Sequence, residues 1–418
     1  MPVEIVTIGN EVLSGRTLDT NAAFLARALE AVGVSVGWHS TVGDEADAIG
    51  AALRAALARA DAVVMTGGLG PTPDDLTRAA VAAALGRTLE TNAAALDHLR
   101  ERLRRIGRPV TPNIEAMAQV PAGASTWPNP LGTAPGIRIE HEGKPVILLP
   151  GVPAEMEAIA AAHVVPFLQQ RTGRTIATFT LRTAGAYETL LQERIADLPK
   201  HWESAALAYL PSYHGVDLRV TVTGDDAARV RETSRRAYEE LRARVGSVVY
   251  AEGEKGLEEV LGEALLARGQ RLATAESCTG GLLAKRLTDT PGSSRYFERG
   301  FVTYSNASKV ELLGVSKAEI AAHGAVSAPV AEHMARGARE RAGVDLALAI
   351  TGIAGPEGGS VEKPAGTVFL AVAWPEGVAS RRYHLPGARR VVRERSVQTA
   401  LDLARRQLLG LPLDARLE

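Results

Sequence analysis

The chain has 418 residues, 46% of them hydrophobic, and a net charge of −1; it is too long for one core, so two or three domains are expected. No block of like charges gives nucleic acid an electrostatic footprint, and no apolar run approaches the ~20 residues of a membrane span. A single cysteine, Cys278, excludes an internal disulfide framework and a multi-cysteine metal cage; this predicts a reducing cytoplasm, as does Met1-Pro2-Val3-Glu4, which has neither the basic flank nor the apolar core of an export signal.

Strand and helix patterns alternate from the start. Strands are predicted at Val3–Ile8, Val34–Val42 and Ala62–Thr66, the last of near-continuous apolar type, with helices over Asn21–Val32 and Glu45–Ala60 between them. Repeated βα units of this kind argue a parallel sheet covered on both faces. Helices are predicted over Asp75–Leu85 and Ala93–Ile106. A hairpin around Glu142-Gly143 joins Gly136–Glu140 to Pro145–Leu149, and a helix over Pro153–Gln169 follows. Residues 1–173 therefore read as one three-layer α/β domain.

The third strand runs into Thr66-Gly67-Gly68-Leu69-Gly70-Pro71-Thr72-Pro73-Asp74-Asp75-Leu76-Thr77. Its glycines and prolines shape a tight loop whose N–H groups can cradle a phosphate at a helix start. Asp74 and Asp75 either cap that helix or hold a hard, oxygen-ligated cation such as Mg²⁺. Gly9-Asn10-Glu11 ends the first strand and Pro150-Gly151-Val152-Pro153 follows the last. Both belong at the same sheet edge, where α/β proteins bind ligands.

Residues 174–250 change character. Thr178–Thr183 and Asp217–Thr223 alternate as strands, Tyr187–Ala196 and Arg229–Arg244 read as helices, and Val248–Tyr250 closes with a strand. This predicts a small α+β domain with a connecting or dimerising role. Residues 251–256, Ala-Glu-Gly-Glu-Lys-Gly, read as a linker. From residue 257 to 418 a second three-layer α/β domain is expected, with helices Leu257–Arg268, Val330–Arg341 and Val391–Leu409 and strands Gly300–Ser305, Ala347–Thr351, Gly366–Trp374 and Arg381–Leu385.

The most informative segment lies at the start of that last domain. Ala273-Thr-Ala-Glu-Ser277-Cys278-Thr279-Gly280-Gly281-Leu-Leu283 carries an apolar strand into a hydroxyl and thiol cluster, two glycines and an apolar helix. Such an elbow presents a side chain at the carboxyl edge of a sheet, among the N–H groups of a helix start, which can hold a phosphate or an oxyanion. Ser277 and Cys278 compete for the role of nucleophile. No histidine has triad or ligand spacing. In Gly300-Phe-Val-Thr-Tyr304-Ser-Asn-Ala-Ser-Lys309 a strand is expected to end at Tyr304, with Lys309 one helical turn on. A lysine among apolar walls can act as base to a serine, and Tyr304 can relay the proton or donate to a leaving amine. Thr351-Gly352-Ile-Ala-Gly-Pro-Glu-Gly-Gly359 allows close backbone approach to a ligand. Arg389, Arg390 and Arg393, at the start of the last helix, favour a phosphate.

The runs A-E-S-C-T-G-G, G-F-V-T-Y-S-N-x-x-K, H-G-A-V-S (residues 323–327), T-G-I-A-G-P-x-G-G and K-P-x-G-T-V together resemble the C-terminal domain of the CinA (competence/damage-inducible protein A) family, over residues 257–410. The resemblance implies a nicotinamide mononucleotide (NMN) amidohydrolase that needs no metal. Ser277 is then the nucleophile, Tyr304 and Lys309 handle the proton, and Cys278, Thr279, Gly280, Gly281, Thr351, Gly352 and Arg393 surround the oxyanion and substrate. Ala307-Ser308 departs from the family pattern, which has an acidic residue followed by Ala, but the Tyr-to-Lys spacing is kept.

I-G-N-E-V-L-S-G-R-x-x-D-T-N and G-G-L-G-P-T-P-D-D-L-T similarly resemble the N-terminal domain of full-length CinA proteins, a relative of the molybdopterin-binding (MoaB/MogA-like) fold. Asn10 and Val12 depart mildly from the G-T-E-L-L of the pattern. The resemblance implies an ADP-ribose pyrophosphatase that uses a divalent metal and yields AMP and ribose 5-phosphate. Asn10, Glu11, Gly67, Gly68, Gly70, Pro71, Thr72, Asp75 and Gly151 would line the nucleotide site, with Asp44, Asp74 and Asp75 at the metal. A cytoplasmic homodimer acting on NMN and ADP-ribose, with no membrane or nucleic-acid partner, is the expectation. Two rivals stand beside it: an N-terminal domain that binds a pterin or nucleotide without turnover, and a DNA-uptake or recombination accessory. A zinc deaminase is excluded because P-C-x-x-C does not occur.

Overall fold

A computed structural model describes residues 1–413. The chain packs into two compact units, Met1–Ala177 with Thr223–Arg231, and Thr178–Val222 with the residues from Glu232 onward. The expected α/β architecture is present. Among the described residues, no helix is long and apolar enough to cross a membrane.

In the first unit, strands β1 (Pro2–Ile8), β2 (Ser35–Val42), β3 (Ala62–Thr66), β6 (Ser125–Trp127), β7 (Gly136–His141) and β8 (Lys144–Leu149) form a sheet in the order β2-β1-β3-β8-β7-β6. The first four in that order are parallel and the β8-β7-β6 meander is antiparallel. A separate pair, β4 (Leu89–Thr91) and β5 (Gln119–Pro121), is antiparallel. Side-chain alternation sends Val3, Ile5 and Val64 to one core layer and Val6, Ile8, Val63 and Met65 to the other. This is why the strands read as unbroken apolar runs: both faces are covered. Helices Thr20–Glu30 and Ala46–Arg59 belong to opposite layers. The helix expected over Pro153–Gln169 is interrupted by a π-helical turn, Ala160–Val164, and resumes over Val165–Thr172. Pro166, in the first turn of the resumed segment, has no N–H to give to the preceding helix, so a widened turn there costs little.

The middle segment forms a sheet in the order β10-β11-β9-β12, from β9 (Thr175–Thr183), β10 (Ala205–Pro211), β11 (Val216–Gly224) and β12 (Val249–Glu252), with helices Glu188–Ile195 and Ala227–Val245. Strand β10 is absent from the sequence expectation, and its Ala-Ala-Leu-Ala run explains why: alanines carry little strand preference. The segment read as a linker starts inside β12, and its next turn is held, because Arg182 Nη1 donates to the carbonyls of Glu254 (2.8 Å) and Lys255 (3.0 Å).

In the C-terminal domain, β13 (Leu272–Glu276), β14 (Phe297–Val302), β15 (Leu346–Gly352), β16 (Thr367–Trp374) and β17 (Gly377–His384) form a sheet in the order β14-β13-β15-β16-β17. The β14-β13-β15 part is parallel and β15-β16-β17 antiparallel. Leu272, Leu348 and Ile350 pack into one layer with Val397 and Leu401 of helix Arg389–Leu409. Ala273, Ala275, Ala347 and Ala349 face the other, against Val330 and Met334 of helix Ala328–Ala342. Small side chains on that face let the helix approach closely.

The strand expected to end at Tyr304 ends instead at Val302. The reason is local: the Ser305 side chain accepts from Ser308 N–H and caps helix Asn306–Leu313, so that after Thr303, whose N–H still donates to the Glu276 carbonyl (2.7 Å), the chain leaves the sheet.

Candidate active site

Strand β13 ends at Glu276, where the Ser277 N–H still donates to the Ile350 carbonyl (2.9 Å) of neighbouring β15. The chain then turns through Gly280 (φ 56°) and Gly281 (φ 92°) into helix Leu282–Thr288. Two successive left-handed residues explain the paired glycines. Ser277 and Lys309 are both buried, Lys309 at 1% exposure. Lys309 lies in the first turn of helix Asn306–Leu313, and its Nζ sits 3.0 Å from Ser277 Oγ. The same amine donates to the carbonyls of Thr303 (2.7 Å) and Tyr304 (3.5 Å). Burial holds the Lys309 pKa below the ordinary lysine value, because desolvation penalises the ammonium. Nζ is placed as donor to all three oxygens, the number an ammonium can serve; once deprotonated, the amine can keep the two carbonyls and turn its lone pair to the serine hydroxyl.

Cys278 is a neighbour of a different kind. Burial, aided by Glu276, pushes its thiol up to about 11, so the thiolate needed for attack is scarce near neutrality.

The expectation that free helix-start N–H groups surround the elbow is corrected. The buried Glu276 carboxylate accepts from the N–H groups of Gly281 (3.0 Å), Leu283 (3.0 Å) and Ala284 (2.9 Å). An anion of the protein already occupies the positive end of that helix, where a phosphate was expected to fit. The Gly280 N–H donates to the Ser277 carbonyl (3.1 Å), leaving those of Cys278 and Thr279 outside the backbone hydrogen bonds of the turn.

Tyr304 is 62% exposed, and its hydroxyl accepts from Arg389 Nη2 (2.9 Å) rather than meeting Ser277 or Lys309. Arg389 Nη1 also donates to the Gly355 carbonyl (3.0 Å), tying Tyr304 to the glycine-rich loop after β15. Arg393 Nη2 donates to the Thr279 carbonyl (2.5 Å). Two buried groups beside the elbow, Arg393 Nε and Thr279 Oγ1, have no partner. Thr351 Oγ1 donates to the Ala325 carbonyl (2.8 Å), and Thr351 and Gly352 end the strand next to β13. Glu276 and Thr303 were missed as site residues: a buried Glu before a serine looks in sequence like any strand-end carboxylate, and a carbonyl ligand leaves no residue signature.

In the first unit, Gly9-Asn10-Glu11, the 67–75 loop and Gly151 follow β1, β3 and β8, three strands of one parallel set. Gly67 has φ 114°, and a Cβ there would lie 2.1 Å from the Ile8 carbonyl oxygen. Gly68 (φ 65°) packs on Thr77, whose hydroxyl donates to the Gly67 carbonyl (2.8 Å). Asp75 accepts from the N–H groups of Gly70 (2.7 Å) and Thr72 (2.8 Å) and from the Thr72 hydroxyl (2.5 Å), so it shapes the loop that contains Pro71. Asp44 Oδ2 accepts from the Asn10 N–H (2.9 Å). Asp74 is exposed, with the Thr72 hydroxyl holding its carboxyl below the usual range, and Glu11 is exposed too. Among the described residues, no three His, Cys, Asp or Glu side chains converge as a cation cage, so Asp44, Asp74 and Asp75 do not form a ligand set by themselves. Sequence reasoning passed over Asn21. It is buried, its Nδ2 donates to Thr66 Oγ1 (3.1 Å) and the Gly151 carbonyl (2.9 Å), and its Oδ1 has no partner.

Comparison with known proteins agrees with this layout. Residues 4–170 match the family described as probable molybdopterin binding domain, residues 178–251 the damage-inducible protein CinA KH domain, and residues 254–408 the CinA C-terminal domain. A CinA-like protein of Gemmatimonas aurantiaca is 45% identical over 97% of this chain and 96% of its own length. A putative competence-damage inducible protein of Symbiobacterium thermophilum is 44% identical over 98% and 99%. A solved structure of a CinA protein with unknown function from Thermoplasma acidophilum is 42% identical over 38% of this chain and 94% of its own, with a TM-score of 0.37. With relatives this similar along nearly its whole length, the chain belongs to the CinA family.

Proposed function

We propose that the C-terminal domain hydrolyses the carboxamide of NMN to the carboxylate, with release of ammonia. One observation carries the reading: a buried lysine amine 3.0 Å from a buried serine hydroxyl at a strand-to-helix elbow. Neutral Lys309 takes the Ser277 proton as Oγ forms a bond to the carboxamide carbon. The N–H groups of Cys278 and Thr279 are the donors proposed for the resulting oxyanion. Collapse of the tetrahedral species breaks the C–N bond, and the nitrogen leaves as ammonia with the proton that Lys309 carried. Tyr304, polarised by Arg389, is the group proposed to assist that departure. A water then adds to the seryl ester while Lys309 takes its proton, and Ser277 leaves reprotonated. Arg393, with an unpartnered buried Nε, suits the anionic part of the nucleotide. Ammonia release from NMN by the full chain and by Ser277→Ala tests this; equal rates would overturn it.

For the N-terminal domain, the proposed activity is hydrolysis of ADP-ribose to AMP and ribose 5-phosphate, with the diphosphate against the Gly67–Asp75 loop and Gly151. Since the aspartates do not form a cation cage, no step is assigned to a metal. The same observation favours a second reading, a binding module for a pterin or nucleotide without turnover, in keeping with the molybdopterin-binding match. Phosphatase-coupled phosphate release from ADP-ribose, with and without Mg²⁺, separates the two.

A further inference from the structure

A cavity of about 550 Å³ lies within the second unit, apart from the Ser277 elbow. One wall comes from the β10–β11 hairpin and the residues that follow β9, the other from β17 and helix Arg389–Leu409. Neither the sequence motifs nor the reaction proposed at Ser277 makes use of it.

Gln398, 4% exposed, lies on its wall. Its Oε1 accepts from Arg286 Nη1 (2.9 Å), and its Nε2 has no partner. A guanidinium can only donate, so the amide cannot be turned round: the oxygen must face Arg286, and the donor is the end left over. A buried donor without an acceptor is unfavourable, and a ligand acceptor in the cavity removes that cost.

The charge of the lining selects the ligand further. Asp402, on the same wall, is already neutralised by Arg405 and Arg406 (each 2.7 Å). Arg382 and Arg395 each give one nitrogen to a carbonyl, of Glu362 (2.6 Å) and Pro386 (3.2 Å). Glu188 is the other acid of the lining. Two aromatic rings stand at the cavity with much of their surface uncovered, Tyr187 at 67% exposure and Tyr213 at 50%. Tyr213 is held in place by a tight hairpin in which the Ser212 N–H donates to the Gly215 carbonyl (2.8 Å). Exposed tyrosine faces beside guanidinium groups suit a flat ring bearing a phosphate.

We propose that this cavity is a second ligand site of the chain, for a nucleotide monophosphate: its base against Tyr187 and Tyr213, a ring acceptor on Gln398 Nε2, its phosphate toward Arg382 and Arg395. The site is independent of the chemistry proposed at Ser277.

Photolabelling of the full chain with 8-azido-AMP, followed by mapping of the labelled peptides, tests it. Label is expected on residues 184–188 or 211–216, suppressed by excess AMP. Gln398→Leu is expected to weaken labelling about tenfold, the scale of one lost hydrogen bond in a closed site. Because that side chain is buried, Tyr213→Ala, at an exposed hairpin, serves as the second variant and is expected to reduce labelling of 184–188 at an unchanged melting temperature. Label confined to peptides around Ser277 or residues 67–75, absence of label, or labelling of folded Gln398→Leu and Tyr213→Ala at the parent level would each overturn the assignment.

Discussion

Ser277 and Lys309 stand 32 positions apart in the chain, and their functional atoms meet at 3.0 Å in a buried pocket with two carbonyls behind the amine. Parallel pairing of β13 with β14 makes this meeting possible. Glu276 lies opposite Val302, so the two segments leave the sheet at the same edge, and the Ser305 cap turns Lys309 back over the elbow.

Ser277→Ala is expected to lower ammonia release from NMN by at least about 10³-fold, whereas Cys278→Ala keeps the rate within about threefold. The thiol is held near 11 by burial, so its removal takes away packing and no nucleophile. Steady-state kinetics on both variants decide it; loss of activity in Cys278→Ala with the fold intact would reassign the nucleophile.

The pH profile follows from the sign of the Lys309 shift. Burial lowers its pKa from the ordinary value of 10.5, and the deprotonated amine is the base. kcat/KM for NMN should therefore climb with pH and level off once the folded-state value is passed, below that of a free lysine. Linkage gives stability the same direction: between the folded and unfolded values the unfolded chain holds more protons, so stability rises with pH there. Lys309→Met should abolish turnover and flatten the corresponding part of the stability curve. An unchanged rising limb in a residually active Lys309→Met would remove the lysine from the mechanism.

Glu276→Gln keeps the size of the side chain but offers one acceptor oxygen and an NH₂ group to three converging N–H donors. A loss of about 3 kcal/mol is expected from replacing buried charge-assisted hydrogen bonds, read as a lower midpoint in denaturant titration. The surviving folded fraction should also deamidate more slowly, because the elbow that aims Ser277 is loosened. A variant as stable as the parent would mean that the carboxylate is dispensable to the elbow.

Tyr304→Phe should reduce deamidation by about 10²-fold, the range of one general acid, with KM little changed. Arg389→Ala should reproduce much of that loss through the tyrosine it contacts, and the double variant should be no worse than the weaker single one. Additive losses would show that the two act separately.

At the N-terminal edge, Gly67→Ala should destabilise the fold by more than about 2 kcal/mol, since φ 114° is strained for alanine and the new Cβ would press on the Ile8 carbonyl. Gly86→Ala, with φ 65° and nothing within 4 Å, is the control: it should cost less. Equal thermal melting curves for the two would contradict the close packing of the loop.

Much of this protein is legible in its residues. Short apolar runs mark β1, β3, β13, β15 and β16, because strands covered on both faces must be apolar nearly throughout. The paired glycines announce the elbow, and Ser277, Lys309 and the loop glycines stand out by the motifs that surround them. Three things were decided only by tertiary structure. Glu276 fills the helix start next to the serine because burial leaves that carboxylate no solvent and the N–H groups no other acceptor. The Tyr304 hydroxyl bonds Arg389, 85 positions away, because a helix from the end of the chain reaches the same edge. The three N-terminal aspartates, adjacent or nearly matched in motif, spend their oxygens on neighbouring N–H and hydroxyl groups instead of gathering, since a carboxylate bonds whatever donor the loop geometry brings within reach.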